Sequence, residues 1–250
     1  MKRLKAFWTI ILFFCLFILN MHSQAYALII PERLVYDLTW TGIKAGEAVL
    51  ETRDEGDFIK FISKATSAKW VSVFYHVEDV VVSTLKKDNS YDKRFQGIPY
   101  NYRIKLKEGK HRRDKEVIFD QSTKKITYIN HLQKERSDFD MKDFILDPLS
   151  SLYYVRGVPL EVGKSVFIDI FDSKKLYQVE IQVLKREVIE TPLGAFKTVV
   201  IKPIMQSEGI FYRKGDILIW LTDDEKRTPV LLKTKVAVGS VNATIVSRHP

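Results

Sequence analysis

Cysteine is nearly absent. The 250-residue chain has one, Cys15, and it falls in an apolar stretch near the start. A lone thiol excludes an internal disulfide framework, a multi-cysteine metal site and paired-thiol redox chemistry. Histidine is almost as scarce, five in all: beyond His22 near the start, His76, His111, His131 and His249 occur without H-x-H, H-x-x-H or H-E-x-x-H spacing, so neither a metal nor another cofactor is expected. A G-x-S-x-G elbow and a G-x-x-x-x-G-K-[ST] loop are also missing, which removes the usual signals of ester and nucleotide hydrolysis. Acids are in short supply, 31 against 40 Lys and Arg, for a net charge of +9. That balance serves solubility, and it also suits a surface that meets anionic lipid headgroups or glycans.

The chain begins with a cationic segment, an uncharged one and a pair of small residues, in the order of a cleavable export signal. Lys2, Arg3 and Lys5 are followed by uncharged Ala6 to Leu19 and then by Ala25-Tyr26-Ala27. The apolar run is shorter than the ~20 residues that span a bilayer. Cleavage is expected after Ala27. Phe13-Phe14 precede Cys15, where a lipoprotein signal would place small residues. The expectation is a 1–27 signal peptide and a 28–250 single β-rich domain, periplasmic, thiol-free and without a transmembrane span.

Period-two alternation dominates the remainder and predicts strands with one apolar face. Tyr100, Tyr102, Ile104 and Leu106 alternate with Asn101, Arg103, Lys105 and Lys107, and Tyr177, Val179, Ile181 and Val183 alternate with Gln178, Glu180 and Gln182. Similar runs cover Leu34 to Trp40, Ile217 to Leu221, Leu231 to Val238 and Val241 to Val246. Between them lie Thr41-Gly42, Asp54 to Asp57, Glu108-Gly109-Lys110, Asp120 to Thr123, Asp172-Ser173, Pro192-Leu193-Gly194, Asp223-Asp224 and Gly239-Ser240. Turns so closely spaced favour hairpins over βαβ crossovers. About a dozen strands result, a number at which a twisted sheet curls or closes. The fold class is therefore all-β with one or two short helices: a curved antiparallel sheet, open or closed, β-barrel-like.

Two segments break the alternation. Ala68 to Tyr75 reads as a short helical turn. Asp147 is a suitable N-cap for a second helix, with Pro148 at its first position, Leu149, Leu152, Tyr153 and Arg156 on one face, and Gly157 and Pro159 as the stop.

The segment Asp147-Pro148-Leu149-Ser150-Ser151-Leu152-Tyr153-Tyr154-Val155-Arg156 resembles a bacterial exported family, domain of unknown function 3108. So do Thr191 to Phe196, Ile219 to Asp224 with Arg227 to Val230, and Tyr36 with Gly42 to Gly46. The resemblance implies an exported β-rich protein and supplies no activity and no catalytic residues. By analogy of fold it also points to lipoprotein-carrier barrels, in which a helix lies across a curved sheet.

Tyr36, Trp40, Trp70, Phe74, Tyr100, Tyr102, Tyr153 and Trp220 fall on predicted apolar faces or turns. In a filled barrel they are core; in a hollow one they line a cavity for a lipid or other amphiphile. Arg103, Lys105, Lys107, Lys110, Arg112 and Arg113 form a basic hairpin, either a solvated edge or a dock for anionic headgroups. Asp223-Asp224 and Glu78-Asp79 are adjacent acids, read as turn and strand residues before catalytic pairs. The leading expectation is a non-enzymatic binder of a hydrophobic or amphiphilic envelope component. The alternatives are an accessory factor that binds another envelope protein and, with least support, a carboxylate hydrolase of envelope polymer. Nucleic acid is not an expected partner.

Overall fold

Each alternating run becomes a strand, and all the strands join one sheet. The structure is a computed structural model that describes residues 29–88, 95–141, 144–205, 217–235 and 239–249. The expected signal (1–27) and Val236 to Val238 of a predicted strand lie outside these residues. The strands are β1 (Glu32–Trp40), β2 (Ile43–Glu55), β3 (Phe58–Ser67), β4 (Val77–Lys87), β5 (Gly97–Glu108), β6 (His111–Asp120) and β7 (Lys125–Asn130). They continue as β8 (Glu135–Asp140), β9 (Ser165–Asp172), β10 (Lys175–Thr191), β11 (Gly194–Met205), β12 (Ile217–Thr222), β13 (Pro229–Lys235) and β14 (Ser240–His249). Two helices are described, α1 (Lys69–Ser72) and α2 (Pro148–Arg156).

Spatial order runs β8 back to β1, then β14 back to β9, so each strand pairs with its sequence neighbour and β1 closes on β14. Every pairing is antiparallel, as short turns require. The sheet curves but its ladder is not closed: β8 and β9 are its two ends. Side chains bridge that seam. The Phe139 and Phe171 rings lie 5.2 Å apart, and Lys174 pairs with Glu135. Leu146 takes up the free edge of β9, its N–H donating to Asp169 O and its carbonyl accepting from Phe171 N, both at 2.9 Å.

The predicted helix forms where Asp147 caps it. The Asp147 carboxylate accepts the N–H groups of Leu149 and Ser150, each at 2.9 Å, and the Ser150 hydroxyl accepts the Asp147 N–H at 3.1 Å. The Ser83 hydroxyl on β4 donates to the same carboxylate at 2.6 Å, which ties the cap to the inner face of the sheet. Burial holds the Asp147 carboxyl above its ordinary pKa despite these hydrogen bonds. Gly157 ends the helix.

Helix α2 lies between two apolar clusters. Leu149 and Tyr153 join Leu34, Ile59, Phe61 and Leu85, and Tyr153 stacks on Phe61 with centroids 4.0 Å apart. Val155, with Val158 and Leu160 beyond the helix, joins Ile168, Ile170, Val179 and Ile201. At the end of α2, Arg156 forms a two-point ion pair with Glu32 at 2.7 and 3.0 Å, and both residues are buried.

Candidate functional site

In antiparallel pairs, residues directly opposite one another share a face. Register therefore separates the concave lining from the outside. Thr52, Phe61, Ser83, Tyr102, Val117 and Tyr128 form one inner row across β2 to β7. One row towards the other end lie Leu50, Ser63, Val81, Ile104 and Lys115, and beyond them Tyr36 with Ala48 and Ala65. Leu38 lines up with Ala243 and Leu232.

Helix α2 fills only one end of this concavity, the end where Glu32, Ile59, Phe61 and Leu85 lie. Towards the other end the lining stays apolar, but Leu38, Ala48, Ala65, Val81, Ile104, Leu232 and Ala243 are only half-buried. Three of these are alanine, and Ser63 and Gly46 lie alongside. A strand face built from such small side chains has less bulk with which to fill a curved sheet.

Two cations border the lining. Lys115, opposite Ile104, has its ammonium 5.7 Å from the centre of the Tyr128 ring, and Lys174, from the β9–β10 turn, lies 5.3 Å from the same ring. Each contact is a cation–π arrangement on a buried tyrosine.

The predicted aromatic residues divide. Tyr36, Tyr102 and Tyr153 come together on the concave side, all buried. The Tyr36 hydroxyl donates to Pro229 O at 2.7 Å, and the Tyr153 hydroxyl has no hydrogen-bond partner among the described residues. Burial raises the pKa of all three phenols, so they stay protonated. Trp40 ends its strand at the rim, 36% exposed. The other four do not line the concavity. Trp70 and Phe74 sit outside on and just after α1, with ring centres 5.8 Å apart. Tyr100 is turned outward by a bulge: Thr84 pairs with Asn101 and Leu85 with Pro99, so Tyr100 drops out of register and packs on Phe58 at 5.1 Å. Trp220 pairs with Leu231, which pairs with Thr244 and Asp37, the face opposite Tyr36. It is covered there by Lys233 over its ring and by Glu187, which accepts its indole N–H at 2.7 Å.

The basic hairpin is partly neutralised. Arg103 pairs with Glu116 at 2.9 Å and with Asp114, and Lys107 pairs with Glu78 at 2.9 Å. Hydrogen bonds from Asn101 and His131 outweigh partial burial and hold Glu116 below its ordinary pKa. Among the described residues, Arg112 donates to the carbonyls of Gly109 and His111. Lys105 and Lys110 are exposed, and Arg113 is half-buried. The adjacent acids are structural: Asp224 accepts from Thr222, Lys226 and Arg227, and Asp223 pairs with Arg186 and Arg227. Asp79 accepts the Lys107 N–H at 3.0 Å.

The sequence reading missed Glu32 with Arg156, the aromatic cluster of Phe61, Phe95, Phe144 and Tyr154, and the pairing of Lys115 with Lys174 around Tyr128. Period two marks Phe61 as inward-facing, but no local signal joins residues as far apart as Glu32 and Arg156, 124 positions from one another. Among the described residues no group of three or more His, Cys, Asp and Glu side chains is placed to hold a metal, and no helix is long and apolar enough to cross a membrane.

A family model described as "Protein of unknown function (DUF3108)" matches residues 35–246. Among solved structures the chain is similar to a β-barrel-like protein of domain of unknown function DUF1849 from Brucella abortus. The two share 12% identity at a TM-score of 0.54, over 89% of this chain and 98% of that one. It is also matched to a protein from Bacteroides fragilis with a YmcC-like fold, provisionally described as exported, at 6% identity and a TM-score of 0.33 over 90% and 98%. The first likeness bears on the fold alone, and the second superposes too loosely to carry an argument. None of the curated proteins matches the chain.

Proposed function

The chain belongs to the family DUF3108, proteins of unknown function, and because no activity comes with that membership we propose, from the lining of the sheet, that it is a non-enzymatic periplasmic binder of an amphiphile. The observation that carries this reading is the half-buried apolar strip beyond α2: Leu38, Ala48, Val81, Ile104, Leu232 and Ala243. Apolar surface left partly wet inside a concave sheet gains about 25 cal/mol for each Å² that a guest covers. An acyl chain has the chemistry for such a strip, and Lys115 supplies charge for an acidic head at its border. The export signal read at 1–27 supports an envelope location.

The test is uptake of dansyl-undecanoic acid by the mature chain, with mass spectrometry of lipid extracted from protein purified from cells. Saturable one-to-one uptake is expected, weakened by Ala65→Trp, which fills the strip, and by Lys115→Gln. If the probe does not bind and the extracts carry no amphiphile, the reading fails.

A further inference from the structure

The two ends of the sheet differ in charge. At the end closed by α2 the turns are acidic: Glu55 and Asp57, Asp120, and Asp223 to Glu225. At the opposite end, onto which the half-buried strip opens, the described turn segments 41–46, 68–76, 109–113, 131–134 and 173–176 contain no Asp or Glu, and the acids that flank them, Glu108, Glu135 and Asp172, stand at strand ends. Backbone hydrogen bonds stitch four of these segments to one another or to the strand beside them, and the Lys174–Glu135 ion pair ties the fifth to β8. Thr41 N donates to Ser240 O, Ala68 N to Ala45 O, Gly109 N to His76 O and His131 N to Asp114 O, at 2.7–3.0 Å.

The rim is also where apolar side chains are left in water. Among the described residues, Trp40, Ile43, Trp70, Val73, Phe74 and Tyr75 are exposed there, with Val73 at 86% and Phe74 at 65%. Leu132 and Leu176 extend the set across the next two turns. Helix α1 buries none of its residues, so its packing does not explain its apolar character. It is nevertheless held in place, with Trp70 Nε1 donating to Lys44 O at 2.9 Å and Tyr75 lying against Gly109, where an added Cβ would meet the ring at 2.8 Å. Around this patch Lys69, Lys110, Arg112, Lys134 and Lys175 are exposed without a carboxylate partner among the described residues. Of the nearby acids, Glu78 and Glu135 are each paired with a lysine, and the rim's cations outnumber the two others, Glu108 and Asp172.

We infer that this rim docks on an anionic bilayer surface, with Trp70, Val73, Phe74 and Tyr75 entering the interface and the five cations meeting acidic headgroups. Aromatic side chains favour the interfacial layer, and basic residues around them are drawn to its negative potential. A second protein would need matching acids and a matching apolar surface; an anionic bilayer offers both at every point. The inference goes beyond amphiphile binding and stands without it, although a docked rim would point the apolar strip at the membrane.

Co-sedimentation of the mature chain with vesicles tests it, using phosphatidylcholine alone or mixed with phosphatidylglycerol. Binding is expected only to the mixed vesicles, with a blue shift in Trp emission that Trp70→Phe diminishes. Lys110→Gln and Arg112→Gln should each weaken binding about fivefold, and Val73→Asp with Phe74→Asp should reduce it at least about tenfold. Tyr100→Asp, at an exposed aromatic away from the rim, should bind as the unaltered protein does, and urea midpoints should confirm that all variants fold. Ala65→Trp should also leave vesicle binding intact, which separates docking from uptake. Equal binding to both vesicle types, insensitivity to the rim substitutions, or concentration-dependent self-association through the rim in place of vesicle binding would overturn the proposal.

Discussion

Replacing Arg156 by Met leaves the Glu32 carboxylate buried in the inner face with only Arg248, 3.8 Å away, near it. Glu32 is 2% exposed and Arg156 4%, so water does not readily take the place of the missing guanidinium. The substitution also removes two donors from the Lys226 carbonyl, at 3.1 and 3.4 Å, and the cation from the Tyr153 ring, 5.2 Å away. Stranding one partner of a buried ion pair costs about 3–5 kcal/mol. With a urea m-value of about 2 kcal/mol/M, the unfolding midpoint should fall by about 1.5–2.5 M. Glu32→Leu alone should lose a similar amount, because the guanidinium is stranded in turn. The double variant Glu32→Leu with Arg156→Met replaces both charges by apolar volume and should lie within about 1–2 kcal/mol of the original, since such swaps are often neutral. Urea unfolding followed by circular dichroism measures all four proteins. If the two single losses simply add in the double variant, the argument from desolvation is wrong.

Asp147→Ala removes an N-cap worth about 1 kcal/mol and leaves the buried Ser83 hydroxyl without its acceptor, for a total loss of about 2–4 kcal/mol; Ser83→Ala should lose less in the same urea assay. Because burial holds the Asp147 carboxyl above its ordinary range, the folded state binds that proton more tightly than the unfolded chain does. Its contribution to stability should therefore decline as pH rises from about 4 through the raised pKa, a slope that Asp147→Asn removes. Asp120 is held down to about 2, chiefly by the Ser122 hydroxyl and then the Thr123 N–H. Carboxyl NMR should place its titration there, and the stability it contributes should be complete above about 4 and lost as pH falls to about 2. Gly46→Ala would press a methyl group onto the carbonyl oxygen of Thr66 on β3, at a cost of about 1–3 kcal/mol by urea midpoint; an unchanged midpoint would contradict so close an approach of the two strands.

The strands were legible because their signal is local. Tyr177, Val179, Ile181 and Val183 alternate in sequence and are all buried in the structure. The α2 boundaries followed from Asp147, Pro148 and Gly157, whose capping chemistry lies within a few residues. Tyr100 and Trp220 were placed on the wrong face for different reasons. At Tyr100 a single bulge residue reverses the alternation, and nothing in Pro99-Tyr100-Asn101 marks it. Around Trp220 both faces of β11 and β12 are apolar, so periodicity does not say which face is concave. The fourteen strands exceed the expected dozen partly because the β7–β8 turn, His131 to Lys134, contains neither Gly nor Pro. The cation-rich rim was readable in principle, but only once register brings five separate turns to one end.

The circumference of this sheet is not fixed by backbone geometry. A closed ladder can widen only by breaking a row of amide hydrogen bonds or adding a strand, whereas among the described residues no ladder joins β8 to β9: side chains meet there, Phe139 with Phe171 and Lys174 with Glu135 and Tyr128, while Leu146 holds the edge of β9. Parting those contacts leaves every strand-to-strand hydrogen bond intact. The girth of the sheet can therefore change along a single line, by rotating a few side chains, without unfolding any of the wall.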